Sequence, residues 1–333
     1  MGSEPTQSDV AQLAGVSRGL VSLALSGSTA VAEATRDRIL AAAEQLGYSR
    51  HLGAASLAAG RSPVVGVVLP DLRNPFFEGL VATLQAESDR HRLLPLVATV
   101  SNDPAREAVV LERFRQLRVA GAVLVSPVQP LADLSAAGRS LPLVLVGADA
   151  PGTTIDCVHM DEDAAARLVV DHLAARGWQR IVYLSSEAGA GQVWVDRRRS
   201  AIERIAAERS LPVTVVEVGA DDGVAAELLP QLTSAAERVA VVAHNDLVAA
   251  DAVVVLRGHG LVPGRDIAVV GFDDTHVARR PEYNFTSVSQ NLSQLVHLAL
   301  AALVERRAAE PDGARPTGRE WVVTPSLSVR DSS

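Results

Sequence analysis

A single cysteine, Cys157, stands in 333 residues, which excludes an intramolecular disulfide and any cysteine-based metal cluster. No apolar run approaches the roughly 18 residues that would suggest a bilayer span, so no membrane partner is expected. The first residues, Met1-Gly2-Ser3-Glu4-Pro5, lack the basic and apolar regions of a secretory signal, and the expected compartment is the cytoplasm. The sequons at Asn284 and Asn291 are then chance matches. A basic excess is missing as well: the net charge of −8 argues against a generally sticky binder of polyanions. There is no P-loop, no metal-ligand spacing among the eight histidines, and no paired acid and base that spacing supports. Neither a cofactor, nor a metal, nor an enzymatic activity is expected.

What is present is material for about two domains, with a hydrophobic content of 48% that suffices for real cores. In Asp9 to Gly27, apolar residues recur at helical spacing through Val10, Leu13, Ala14, Val16, Val21, Ala24 and Leu25, interrupted at Gly15. Thr6 with Asp9 forms a short capping box, Gly15 takes the turn and Ser17 caps the second helix. Two short helices around a Gly-containing turn match a helix-turn-helix, whose second helix enters a DNA major groove. Val31 to Leu46 predicts a third helix, with Ala32 in a poor capping position and Gly47 as the stop. Within residues 1–62, five acids balance five arginines, so this head is neutral and tight phosphate binding needs two heads acting together. The segment from His51 to Gly60, HLGAASLAAG, is a marginal helix by itself that a partner would have to order.

From Val64 onward, strand-like runs alternate with helical stretches. The strands are Val64 to Leu69, Leu94 to Val100, Ala120 to Val125, Leu143 to Val146, Ile181 to Leu184, Val213 to Val218, Val239 to Ala243 and Ile267 to Phe272. Helical patterns include Glu78 to His91, Pro104 to Leu117, Asp161 to Arg176, Trp194 to Glu208 and Leu247 to His259. Such alternation predicts parallel sheets covered by helices, and the strand count predicts two doubly wound lobes with a ligand cleft beyond their carboxyl ends. Two local patterns point elsewhere and lack their context. Gly15-Val16-Ser17-Arg18-Gly19 fits the nucleophile elbow of hydrolases but follows a helix, not a strand. Gly189-Ala190-Gly191 fits a dinucleotide loop, but Trp194 stands where its third glycine belongs.

The residues Asp9 to Gly27, Glu33-Ala34-Thr35-Arg36, Leu46-Gly47-Tyr48, Asn74-Pro75-Phe76-Phe77, His244-Asn245-Asp246, Gly271-Phe272-Asp273-Asp274 and Thr324-Pro325 occur in an order that spans nearly the whole chain. The sequence thereby resembles the LacI/GalR family of bacterial transcription regulators. The resemblance implies a small all-α helix-turn-helix head at 1–50, a linker at 51–62, and a periplasmic-binding-protein-like α/β core of two doubly wound lobes at 63–333. Lobe 1 is expected at about 63–160 with 291–320, and lobe 2 at about 161–290 with 321–333. The implied protein is a repressor that binds a pseudo-palindromic double-stranded operator as a homodimer, under the control of a small effector in the cleft. No heptad tail follows Arg330, so a tetramer is not expected.

On matching positions the resemblance places Ser17, Arg18, Gly19 and Leu23 at the DNA major groove, and Ala54 and Leu57 at a central base step that an apolar wedge would open. Here Leu23 replaces a common arginine and Gly19 offers no side chain, so only Arg18 can make a bidentate guanine contact. The same matching puts Phe76, Phe77, Ser126, Trp194, Arg198, Asn245, Asp273 and Gln290 at the effector. Which phenylalanine faces the cleft is open; Asp273 and Asp274 cannot both do so if they alternate; Arg197 and Arg199 read as a solvated face. An arginine fork, an acid and an amide against aromatic surface suit a polyhydroxylated ligand, so a sugar or sugar derivative is expected first and a nucleobase or nucleoside second. The competing classes are an exported solute-binding protein, which lacks a reason to carry a DNA-binding head, and an α/β hydrolase.

Overall fold

The computed structural model describes residues 5–26, 28–49, 62–186, 193–219, 223–232, 237–308 and 317–333. The chain divides into two compact units, Met1–Ser62 and Pro63–Ser333. All of the expected linker except Ser62 lies outside the described residues.

In the first unit, α1 (Gln7–Ala14), α2 (Arg18–Leu25) and α3 (Glu33–Gln45) close on Val10, Val21, Ala24, Val31, Ile39, Ala42 and Ala43. The capping box forms as the sequence predicts: the Thr6 hydroxyl accepts from Asp9 N, and Thr6 N donates to Asp9 Oδ2 at 2.7 Å. Gly15 leaves α1 with φ of 64°, a left-handed turn that a side chain would strain. The Ser17 hydroxyl accepts from Leu20 N at 3.2 Å and starts α2. Ala32 supplies no side-chain cap to α3, as expected. That helix instead ends on Gly47 at φ 63°, with Tyr48 N donating to Ala43 O and Gly47 N to Glu44 O.

The second unit holds two six-stranded sheets. The first comprises β1 (Val64–Leu69), β2 (Leu94–Thr99), β3 (Ala122–Val125), β4 (Leu143–Val146), β5 (Asp156–Met160) and β11 (Glu320–Val323), in the order β11-β5-β4-β3-β1-β2. All of its pairings are parallel. The second comprises β6 (Arg180–Ser186), β7 (Val213–Val218), β8 (Val239–Ala243), β9 (Ala268–Phe272), β10 (Thr286–Ser289) and β12 (Ser326–Ser328), in the order β12-β10-β9-β8-β6-β7. Only its β10–β12 pairing is antiparallel.

Alternation along each strand covers both faces. In the first sheet, Val65, Val67 and Leu69 turn to one face, where Leu80 and Leu84 of α4 (Pro75–Arg90) and Leu300 of α11 (Leu292–Ala308) pack. Val68, Leu124 and Leu145 turn to the other, against Leu111 and Phe114 of α5 (Pro104–Gln116) and Leu134 of α6 (Leu131–Gly138). The second sheet repeats the scheme. Ile181 and Tyr183 face α7 (Glu162–Ala175) and α8 (Val193–Glu208). Val182 and Leu184 face α9 (Gly223–Leu228) and α10 (Asp246–Gly258).

The chain passes between the sheets three times: after β5, after β10 and after β11. The last passage corrects the expected boundary at residue 320, because β11 stays in the first sheet through Val323, paired with β5. Four strands that the hydrophobic pattern does not show, β5, β10, β11 and β12, all flank these passages. β11 and β12 are short, largely unburied edge strands, whereas β5 and β10 carry buried polar side chains that distant partners satisfy. Asp156 in β5 has no exposure and accepts from Arg306 at 2.6 and 2.7 Å and from Arg319 N at 2.8 Å. Thr286 and Ser287 in β10 are likewise buried, the first receiving a bond from Arg330 N and the second donating to Asp246.

Asp156 joins β5, α11 and the entry to β11, so its loss strands a buried guanidinium. Asp156→Ala is expected to cost about 3–5 kcal/mol, read as a lower denaturant midpoint of the full chain; a change under about 1 kcal/mol would show the cluster to be dispensable.

Candidate functional site

In the first unit, the inward side of α2 is Val21 and Ala24, both buried. Arg18, Gly19 and Leu23 are exposed, Leu23 to 44%, so the residues expected to read DNA share the outward face of the second helix. Ser17 also lies at the surface, with its hydroxyl engaged as the helix cap. Arg36 of α3 donates to the carbonyls of Ser28 and Val31 and holds the turn that follows α2. Ala54 and Leu57 lie outside the described residues.

In the second unit, a cleft of about 390 Å³ opens beyond the carboxyl ends of both sheets, the place where doubly wound folds hold ligands. Phe76, Phe77, Ser126, Arg198, Asn245, Asp273 and Gln290 all line it. Nothing is described of the Trp194 side chain, although its backbone belongs to α8. Both phenylalanines reach the cleft wall, meeting edge to face with ring centroids 5.6 Å apart. They sit there because Asn74 caps α4, its Oδ1 accepting from Phe76 N at 2.9 Å, with Pro75 in the first turn.

The two acids that follow β9 part company. Asp273, at φ 104°, lines the cleft and accepts from Gln290 Nε2 at 2.5 Å and from Asn74 Nδ2 at 3.4 Å. Asp274 turns away to Arg279, Ser328 and Arg330. The Asn74–Asp273 bond links the two sheets across the cleft, and the ion pair of Arg197 with Asp149 makes a second link. Arg197 therefore departs from the solvated face expected for it, because β4 leads into a loop that offers it a carboxylate.

Arg198 differs from expectation in its partners. It is buried to 5% exposure, and its Nε and Nη2 both donate to Glu162 at 3.1 Å. Its Nη1 donates to the carbonyl of His244 at 2.7 Å, and its Cζ lies 4.3 Å from the centre of the Phe272 ring. Three of the five guanidinium N–H donors are thus taken by the protein itself. Burial works most strongly against the charge of Arg198, but Glu162, with help from Asp273 and Tyr183, holds its pKa above the ordinary arginine value. Glu162, the first residue of α7, is the functional candidate that sequence reasoning misses. An acid in a first helical turn looks like ordinary dipole complementation, and its pairing with a residue 36 positions away leaves no local mark.

Behind this layer, burial and the neighbouring Arg198 hold His244 well below the usual imidazole range, and its Nδ1 meets the Tyr183 hydroxyl at 3.1 Å. Asp246, with no exposure, accepts from Thr275 N, Thr275 Oγ1 and Ser287 Oγ at 2.6–2.8 Å. Room for it exists because residue 271 is glycine: a Cβ there would stand 2.4 Å from Asp246 Oδ1. Burial, then the charge of Asp273, pushes Asp246 up to about 7. Burial also pushes Asp273 up to about 6, against the pull of Arg198. Asn245 uses its Oδ1 to cap α10 through Val248 N at 3.0 Å, and among the described residues its amide nitrogen has no protein acceptor. No cluster among the described residues has the makings of a metal centre, and no described helix is long and apolar enough to cross a membrane.

A carboxyl with a raised folded-state pKa contributes stability that is present below the unfolded value near 4 and is lost as pH rises through 6 to 7. The buried His244 and His172, both lowered, act in the opposite sense below about 6.5. Comparison with Asp273→Asn isolates the carboxyl. The melting temperature of D273N relative to the parent, without ligand, is expected to rise as pH goes from about 5 to about 8, and a constant difference would contradict the assignment.

A model of the bacterial regulatory proteins of the lacI family matches residues 6–51, and a model of the periplasmic binding protein-like domain matches residues 170–333. The HTH-type transcriptional regulator GalR of Escherichia coli K12 is 31% identical over 337 residues, 97% of each chain. The regulator reg1 of Streptomyces lividans is 30% identical over 347 residues, 98% of this chain and 95% of its own. Among solved structures, the lac repressor dimer bound to operator and the anti-inducer ONPF matches with a TM-score of 0.82 at 22% identity, covering 99% of each chain. The CelR–cellobiose complex matches with a TM-score of 0.69 at 26% identity, covering 99% of this chain and 100% of its own. The chain accordingly belongs to the lacI family of DNA-binding transcriptional regulators, which join a helix-turn-helix to an effector-binding cleft and are not enzymes.

Proposed function

We propose that the protein is a repressor that binds a pseudo-palindromic operator as a homodimer and responds to a sugar or sugar derivative in the cleft. The observation that carries the effector reading is the lining of the cleft. Phe76 and Phe77 offer an apolar wall, while Asp273, Gln290, Asn245 and Ser126 offer acceptors and donors around it. Hydroxyl groups that both donate and accept match that mixture. Two similar proteins carry sugars in their solved structures: CelR with cellobiose, and a periplasmic binding protein/LacI regulator from Alkaliphilus metalliredigens with D-xylulofuranose.

For DNA, the neutral head sets the terms. One head without excess positive charge gains little from phosphates, so two heads linked through their cores must bind together. Arg18 is the one base-reading guanidinium on the outward face of α2, with Gly19 and Leu23 admitting only close backbone approach or contact with a thymine methyl. Ala54 and Leu57 would wedge the centre of the operator.

Arg18→Ala is expected to weaken operator binding by about tenfold or more, since a bidentate guanine contact is worth roughly 1–3 kcal/mol, and to abolish the guanine preference at one position of each half-site. A base-substitution scan in which that preference survives contradicts the assignment. The complex should sediment with two chains per duplex; one or four would exclude the dimer.

A thermal-shift panel of sugars and nucleosides, followed by operator titration with each hit, tests the cleft. The effector is expected to raise the melting temperature and to change operator affinity, with operator DNA changing effector affinity by the same factor. A ligand that stabilises the core and leaves operator affinity untouched would break the coupling, and hits confined to nucleosides would replace the sugar reading.

A further inference from the structure

We infer that the cleft discriminates by charge, accepting uncharged sugars and rejecting their carboxylate and phosphate counterparts, and that Glu162 is the residue responsible. The inference rests on the sugar reading of the cleft and specifies its ligand class.

An anion entering the cleft needs a cation with free donors, and three guanidiniums line the space: Arg73, Arg197 and Arg198. Arg198 is the buried one and would be the strongest anchor, because a planar fork in a desolvated site holds carboxylate or phosphate by two parallel bonds. Glu162 fills that role from within, taking Nε and Nη2 at 3.1 Å each. The His244 carbonyl takes a donor of Nη1 at 2.7 Å, and the Phe272 ring covers one face of the guanidinium. Arg197 is paired with Asp149. Arg73 is 88% exposed in its side chain, beside Asp71 at 3.8 Å, where solvent screens its attraction.

The remaining charge is negative. Asp71, Glu162, Asp251 and Asp273 set four carboxylates against the three guanidiniums. The amides of Gln290 and Asn74, which could have greeted an anion, donate to Asp273 instead. His244, buried behind Arg198, receives the Tyr183 hydroxyl contact at its Nδ1 and adds no positive charge of its own. A ligand hydroxyl can donate to Asp273 and meet the apolar wall of Phe76 and Phe77. A ligand carboxylate at the same place would face a like charge, and the buried cation nearby, Arg198, is already paired with Glu162.

The test uses the full-length protein and matched ligand pairs in calorimetric titration: galactose with galacturonate, glucose with glucuronate and with glucose 6-phosphate. Neutral cellobiose and xylose extend the panel. In any pair that binds, the neutral member is expected to bind at least about tenfold more tightly. An acid or phosphate that binds as tightly as its neutral partner, or more tightly, overturns the charge inference and leaves the sugar reading standing. Silence from every sugar, with a nucleoside binding, overturns the sugar reading and this inference together. Glu162→Gln keeps an acceptor for Arg198 but removes the compensating charge, and should narrow the acid-to-neutral ratio by about tenfold. An unchanged ratio in folded E162Q removes Glu162 from the role. If E162Q does not fold, the wild-type pairs still decide the selectivity. Glu162→Asp then decides the residue: it preserves the discrimination if charge is the cause and relaxes it if the length of the side chain is.

Discussion

A guanidinium buried to 5% exposure must be neutralised where it stands, and much of the cleft follows from how Arg198 meets that demand. Its partners are the first residue of α7, the His244 carbonyl just after β8 and the ring that ends β9. One side chain thereby gathers the start of a helix and the ends of two strands of the second sheet at the cleft. Asp273 completes the layer by reaching Asn74 at the start of α4, on the first sheet's side. The polar layer consists of two hydrogen-bonded groups, Arg198 with Glu162 and the His244 carbonyl, and Asp273 with Gln290 and Asn74; a ligand group at Asp273 competes with or joins a bond that already spans both sheets.

Legibility from sequence follows the balance of local and distant causes. The head was readable in detail because each of its devices is local: Thr6 with Asp9, Gly15, Ser17 and Gly47 act within a few residues of themselves. Six of the eight strands read from the hydrophobic pattern, β1, β3, β4, β6, β8 and β9, lie inside their sheets and are apolar because both of their faces are covered, while β2 and β7 are edge strands that keep enough apolar residues to show. β5 and β10 were not readable, since Asp156, Thr286 and Ser287 are buried by virtue of partners that arrive from 41 to 163 residues away. In the cleft, family resemblance named the lining residues, whereas the division between Asp273 and Asp274 and the capture of Arg198 by Glu162 depend on backbone direction and on distant chain. Periodicity carries no record of either.

The head and the core divide specificity between them in unequal ways. The outward face of α2 has one charged residue, so discrimination among DNA sequences has few direct contacts to draw on. The cleft, in contrast, is dense with matched polar groups, where a mispaired ligand group leaves a buried partner unsatisfied. That contrast suits the proposed dimeric regulator, in which a second head would complete the reading of DNA.

The three passages between the sheets have a consequence for how the chain comes into being. The first sheet needs β11 at Glu320–Val323 and the second needs β12 at Ser326–Ser328. On the ribosome, both sheets wait for the same short stretch, residues 320–328, and a nascent chain that has passed β10 still carries two unfinished edges. The core cannot mature one lobe at a time: its final folding step is shared, and a premature stop before Glu320 takes a strand from each lobe at once.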